Sequence, residues 1–218
     1  MTTPGAEGGR PVSIRPKAAL ALIIAAITVA GGLVVATVGW YATVQGTSGQ
    51  ASGVRARVTF TSPCDAEARP VILARLAEYG LPAQASPDSG GLAFDVTMPG
   101  LADDLTHVPK ALAAPGTLEV RVDGVVRPVV VQDLGVQLAF SGTPVTLLLL
   151  SEPLPERGVE VSIDGAPADV EEVTGVELQI AARAGQSAEA LRLATDRAVA
   201  LRHPLPCAVT PVGAEAMP

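Results

Sequence analysis

Few residues in this chain have the chemistry for catalysis or metal binding. Histidine occurs twice, as His107 and His203, and cysteine twice, as Cys64 and Cys207. Neither histidine has a second ligand at metal-binding spacing, so no metal is expected. Ser, His and Asp are all present, but no Gly-x-Ser-x-Gly elbow would raise a nucleophile for them. Gly-x-Gly-x-x-Gly and Walker-type loops are missing too, which removes the usual phosphate cradles. His203 closes a helical segment, where its cation complements the helix dipole, and His107 lies on a helix flank. The adjacent carboxylates Asp103 and Asp104 open a helix. Capping and dipole compensation explain them more simply than acid–base chemistry. The expectation is a protein that is not an enzyme and holds no cofactor.

Charge narrows the partners. The chain has 15 Lys and Arg against 22 Asp and Glu, a net charge of −7. Three cations (Arg10, Arg15 and Lys17) and one anion (Glu7) precede the first apolar segment, which leaves 12 cations against 21 anions from Gln45 onward. A surface of that sign repels phosphate backbones, so nucleic acid is not an expected partner. With one Trp, two Tyr and three Phe, the core must be aliphatic, and no aromatic platform is available for bases or sugars.

The elements that position these residues begin with a membrane anchor. Ala18 to Val44 carries no charged side chain. A helix needs about 20 apolar residues to cross a bilayer, and Ala18–Trp40 is long enough. Lys17 marks the near interface and Trp40-Tyr41 the far one. The preceding cations hold the N-terminus in the cytoplasm, so the rest is exported. A cleaved signal peptide is the alternative, but its apolar region would be shorter. The expected organisation is a cytoplasmic tail over 1–17, a transmembrane helix over 18–44, a flexible linker over 45–53, an extracytoplasmic domain over 54–212 and a tail over 213–218. The location is the bacterial inner membrane, with a single span and the C-terminal domain outside.

Within the domain, Val54–Thr61 alternates as a half-buried strand. Asp65–Tyr79 is helical, with Ile72, Leu73, Leu76 and Tyr79 on one face and Gly80 as its stop. Gly91–Met98 is a strand. Asp103 to Ala114 is a helix interrupted by Pro109, which kinks it or delays its start. Asp123-Gly124 supplies the positive φ of a type I′ hairpin turn. The pattern Glu119-Val-Arg-Val-Asp-Gly124 returns 41 residues later as Glu160-Val-Ser-Ile-Asp-Gly165, a hint of two related halves. Val145–Leu150 is a buried strand and Gly175–Ile180 another. A helix capped by Ser187 follows, with Leu191, Ala194, Ala198 and Leu201 as its stripe and Arg192 paired to Asp196 on its outer side. Ala208–Val212 closes the domain. This order suggests α+β, ferredoxin-like βαβ layering with helices on one face of a sheet.

In an oxidising compartment Cys64 and Cys207 are expected to pair. Cys64 ends the first strand and Cys207 begins the last, so antiparallel neighbours would bring them together. Two separate buried thiols are the alternative.

Five short stretches, in order, resemble the first periplasmic domain of the protein-export subunit SecD. Val71–Leu81 is similar to that family's Ile-x-x-Arg-Arg-Val-Asn-x-Leu-Gly-Val helix. Met98-Pro-Gly-Leu101 is similar to its Leu-Pro-Gly-Val, and Leu118–Val122 to its Leu-Glu-Phe-Arg-Leu. Val161–Gly165 resembles its Ile-Val-Leu-Asp-Gly hairpin, and Leu205–Thr210 its Leu-Pro-Ala-Pro-Leu-Thr. Ala74 and Ala77 stand where the family motif has its first Arg and its Asn. SecD continues into five further membrane helices bearing the ionisable groups that couple proton flow to export. The expectation for this chain is a single span without that bundle or its charges. The resemblance implies a SecD-like fold and a role with exported polypeptides. The expected function is a non-enzymatic, membrane-anchored interaction domain accessory to export, with translocase subunits or exporting chains as partners. A structural envelope protein with a repurposed fold is the alternative. An extracytoplasmic hydrolase would need a pocket holding His107 or His203 beside a carboxylate and a nucleophile.

Overall fold

The structure, a computed structural model, describes residues 53–86, 91–98 and 102–217, with only the backbone of 102–104. The expected tail, the anchor with Lys17, Trp40 and Tyr41, most of the linker and the turn Pro99–Leu101 lie outside the described residues, as do the side chains of Asp103 and Asp104. Among the described residues no helix is long and apolar enough to cross a membrane.

In chain order the elements are β1 (Val54–Thr61), α1 (Asp65–Glu78), β2 (Ala83–Ala85), β3 (Leu92–Met98), α2 (Ala102–Ala113), β4 (Leu118–Val122), β5 (Val125–Arg127), β6 (Val131–Leu138), β7 (Pro144–Leu150), β8 (Val159–Ile163), β9 (Ala166–Ala168), β10 (Val170–Thr174), β11 (Glu177–Ala181), α3 (Ser187–Arg202) and β12 (Thr210–Ala216). β12 runs to Ala216, through residues read from sequence as a tail. Ser187 is the first helical residue of α3, and Gln186 holds the cap position without a side-chain bond. α2 continues through Pro109.

The first sheet has the order β12-β1-β3-β2, with every pair antiparallel. α1 joins β1 to β2 across β3, and α2 leaves β3 on the path back to β12 across β1, the connection pattern of a split βαβ pair. Alternation in β1 turns Ala56, Val58 and Phe60 inward and Arg55, Arg57 and Thr59 outward. The inward set packs with Phe94, Val96 and Met98 of β3 under Ala68, Ile72 and Leu76 of α1 and Leu112 of α2. α1 starts with Asp65 and Glu67 in its first turn, which suits the positive end of the dipole, and stops at Gly80, whose φ of +68° ends the helix.

The expectation of one helix-covered sheet holds for this part alone. The chain between α2 and β12 builds two more four-stranded sheets, ordered β5-β4-β8-β9 and β10-β11-β7-β6. Its strands are short and joined by tight turns, so they close a second core of Val120, Val161, Ile163, Leu148, Leu178, Ile180 and Ala198 instead of extending the first sheet. The sequence marks no strand at β2, β6 or β10, whereas β9 is the far arm of the hairpin at Asp164-Gly165. β2 and β9 are three residues each, and β6 and β10 carry acidic residues that break alternation.

The 41-residue similarity has a structural counterpart. Both sheet orders read the same when the halves β4–β7 and β8–β11 are exchanged. Val120 pairs with Val161, its own equivalent. Asp123 N–H donates to Gly158 O and Asp164 N–H to Thr117 O, both at 2.9 Å. Asp123 (φ 51°) and Asp164 (φ 53°) each precede a glycine at φ 77°, so both hairpins turn through two positive φ values.

Candidate functional site

Three elements converge on a cleft of about 320 Å³ lined by α2, α3 and the β8–β9 turn. α2 contributes His107, Lys110 and Ala111. α3 contributes Leu193, Asp196, Arg197 and Ala200, and the turn adds Ile163, Asp164 and Pro167. The floor is made of small and aliphatic side chains, and the charges stand around it.

Asp196 organises one wall. Its Oδ1 accepts a hydrogen bond from the Tyr79 hydroxyl at 2.8 Å, and its Oδ2 lies 2.8 Å from His107 Nε2. The His107 contact has ion-pair distance but falls off the N–H direction. Burial pushes the Asp196 carboxyl above the ordinary range, against the opposing pull of Tyr79 and His107. Burial, then Asp196, pushes the Tyr79 phenol upward. The sequence reading put Asp196 on an outer face beside Arg192. The structure turns it partly inward, where Tyr79 and His107 supply polar partners, while Arg192 still acts on it from the outer side. Asp164 is occupied as well, accepting from Thr117 N–H at 2.7 Å.

Behind the cleft lies a residue that the sequence reading did not single out. Arg75 is fully buried. Its Nε donates to His203 O at 2.9 Å, Nη1 to Leu112 O and Ala114 O at 2.7 and 2.6 Å, and Nη2 to Ala200 O and His203 O at 3.2 and 2.6 Å. All five guanidinium donors are thus used. The acceptors are carbonyls at the C-terminal ends of α2 and α3, the negative ends of both dipoles. Burial lowers the Arg75 pKa, with Tyr79 and Asp164 acting in the other direction. The signal was present in the similarity of Val71–Leu81 to a motif with two arginines, of which Arg75 matches the second. Gly116 completes the junction: its φ is +76°, and a Cβ there would lie 2.1 Å from Ala200 O.

His203 is apart from the cleft. It caps α3 through N–H to Val199 O, and its ring Nε2 lies 2.8 Å from Glu78 Oε2, with Arg202 also on Glu78. The two histidines therefore do not meet. The cysteines do: Cys64 and Cys207 form a disulfide with Cα atoms 6.4 Å apart, and β1 and β12 are antiparallel neighbours as reasoned. Ser62 Oγ sits 3.0 Å from Cys207 Sγ.

The cleft holds a histidine beside a carboxylate, which is half of a hydrolytic site. Among the described residues no Ser, Thr or Cys lines it, and the Tyr79 hydroxyl is committed to Asp196. Among the described residues no cluster of three His, Cys, Asp or Glu has the placement to hold a metal ion.

No family model and no curated protein matches the chain. A crystal structure of SecDF in a super-membrane-facing form is similar to it, with a TM-score of 0.52 at 15% identity. The likeness covers 73% of this chain and 30% of the SecDF chain, so this chain spans about a third of that protein's length. At that identity the likeness concerns the fold: a mixed α/β chain with antiparallel sheets, weakly SecD-like.

Proposed function

We propose that the chain is a membrane-anchored, non-enzymatic domain that contacts polypeptides during export, outside the cytoplasmic membrane. The likeness of its fold to SecDF over 73% of the chain carries this reading. The ordered sequence resemblance from Val71 to Thr210 and the apolar segment 18–44 support it. The cleft fits the same reading, since a lining of small and aliphatic side chains with polar groups beside them can hold an extended chain. On this reading the domain is a SecD-like ectodomain in the bacterial inner membrane, acting beside the translocase.

Co-purification of the full-length protein from gently solubilised membranes, after mild cross-linking, tests the reading. Translocase subunits or exporting chains are expected among the partners. Recovery of only the protein itself or of unrelated envelope proteins would show a repurposed fold.

A further inference from the structure

The three sheets present six edge strands, and five of them are protected against further pairing. β2 has three residues, β5 has three and runs into Pro128, and β9 has three with Pro167 at its centre. β10 carries Glu171 and Glu172 and an irregular register, and β12 carries Pro211, Glu215 and another register shift. Short length, proline, charge and bulges are the devices by which folded proteins keep sheet edges from pairing with other chains.

β6 is protected over its first half only. Its register shifts between Val131 and Asp133. Leu134 N–H donates to Asp133 Oδ1 at 2.8 Å, and Leu134 O accepts from Arg202. Both backbone groups of Leu134 therefore face away from β7. Backbone direction alternates along a strand, so Val136 and Leu138 turn their N–H and C=O outward too. Leu138 lies opposite Pro144, which has no N–H to offer, in agreement with that alternation. From Leu134 to Ser151 the chain has no charged residue, although the domain around it is acidic.

The open half of β6 ends in an exposed apolar tip. Leu138 is 64% exposed and Phe140 fully exposed. The loop is held by Ala139 N–H to Thr143 O and Gly142 N–H to Ala139 O, both 2.8 Å, and by Ser141 Oγ to Glu171 at 2.8 Å. In the other half of the duplicated unit the matching connection, β10 to β11, is a tight turn at Gly175-Val176. One copy thus carries a longer turn that lifts an aromatic ring into solvent on a fixed backbone. Such an anchor loses little conformational freedom on binding.

We infer that Gly135–Phe140 is a docking edge for an extended, uncharged polypeptide segment, which adds to β6 as a strand and packs an apolar side chain against Leu138 and Phe140. Main-chain bonds give affinity that is blind to sequence, and the apolar tip selects for exposed hydrophobic segments, the common feature of unfolded chains. The inference deepens the proposed function and rests on it for the identity of the partner.

The test uses the full-length protein in nanodiscs and a dye-labelled nonapeptide alternating threonine and valine, read by fluorescence anisotropy. Leu138→Lys charges the edge and Phe140→Ser removes the anchor. Both residues are exposed, and an unchanged thermal midpoint checks that each variant folds. Wild type should bind, with roughly tenfold loss in either variant. Equal binding by wild type and both variants, or no binding by wild type, overturns the inference. Wild type sedimenting as a dimer that Leu138→Lys dissociates, with no peptide bound, also overturns it and assigns the edge to a second copy. Repeating the membrane capture with the same variants separates the two claims. Exporting chains captured equally by all three proteins sink the docking edge and leave the function standing. Capture by none of them, with peptide binding intact, sinks the function and leaves the edge.

Discussion

At the residue scale, the fully buried Arg75 and the half-buried Asp196 show two opposite ways of holding a charged group away from water. Arg75 meets five carbonyl contacts and needs no carboxylate, because the ends of α2 and α3 supply the negative potential. Arg75→Met leaves those carbonyls without donors, and unfolding in denaturant should report a loss of about 3 kcal/mol or more. Arg75→Lys should recover little of it, since an ammonium lacks the planar fork. Asp196 is less well matched, and its folded-state pKa lies above its unfolded value. The unfolded chain therefore releases this proton first. The stability tied to it is complete below the ordinary carboxyl range and is lost as pH rises through the raised value. Asp95, held low chiefly by the Arg57 hydrogen bond, acts in the opposite sense: its stability is lost as pH falls through its lowered value. The difference between wild type and Asp196→Asn isolates this carboxyl. From about pH 4 upward wild type should lose stability more steeply than the variant, followed by denaturation at a series of pH values. Asp196 was not readable as buried, because its polar neighbours come from distant points in the chain and no local pattern announces them. The separate partners of His107 and His203, Asp196 and Glu78, were not legible for the same reason.

At the scale of elements, periodicity found what was long and regular. Val54–Thr61 alternates cleanly, and the α1 stripe with its terminal glycine is unambiguous, so both match the structure closely. Asp-Gly at 123–124 and 164–165 located both hairpin turns, because two consecutive positive φ values demand such residues. β2 was invisible, since three residues outside a hairpin carry no period and are held by pairing alone. The junction where α2 leads into β4 was also hidden. Gly116 reads as a helix stop in sequence, but the structure adds close approach to Ala200 O. Gly116→Ala should thus cost clearly more than the roughly 1 kcal/mol typical of a left-handed alanine, with equilibrium unfolding as the check.

At the scale of the whole molecule, the described residues form one split βαβ sheet carrying a duplicated β insertion, with the insertion's entry and exit gathered at Arg75. Sequence suggested the first layer and the duplication but not their separation into two cores, because hydrophobic pattern tells which face is buried and not against what. The Cys64–Cys207 bridge spans this architecture, with a sequence separation of 143. Its reduction should lower stability by up to about 5 kcal/mol in the chain-entropy model, measured as the shift in denaturant midpoint with and without reductant. The proposed export role predicts transient contact between the cleft and polypeptides in transit. The most direct test places a photo-cross-linking residue at position 110, on the cleft rim, in the full-length protein in living cells. Newly made proteins are pulse-labelled, and adducts are followed through a chase. Adducts with exported chains that form during the pulse and disappear in the chase are the expected result. Adducts confined to the protein itself or to resident envelope proteins, unchanged through the chase, would contradict a role in export.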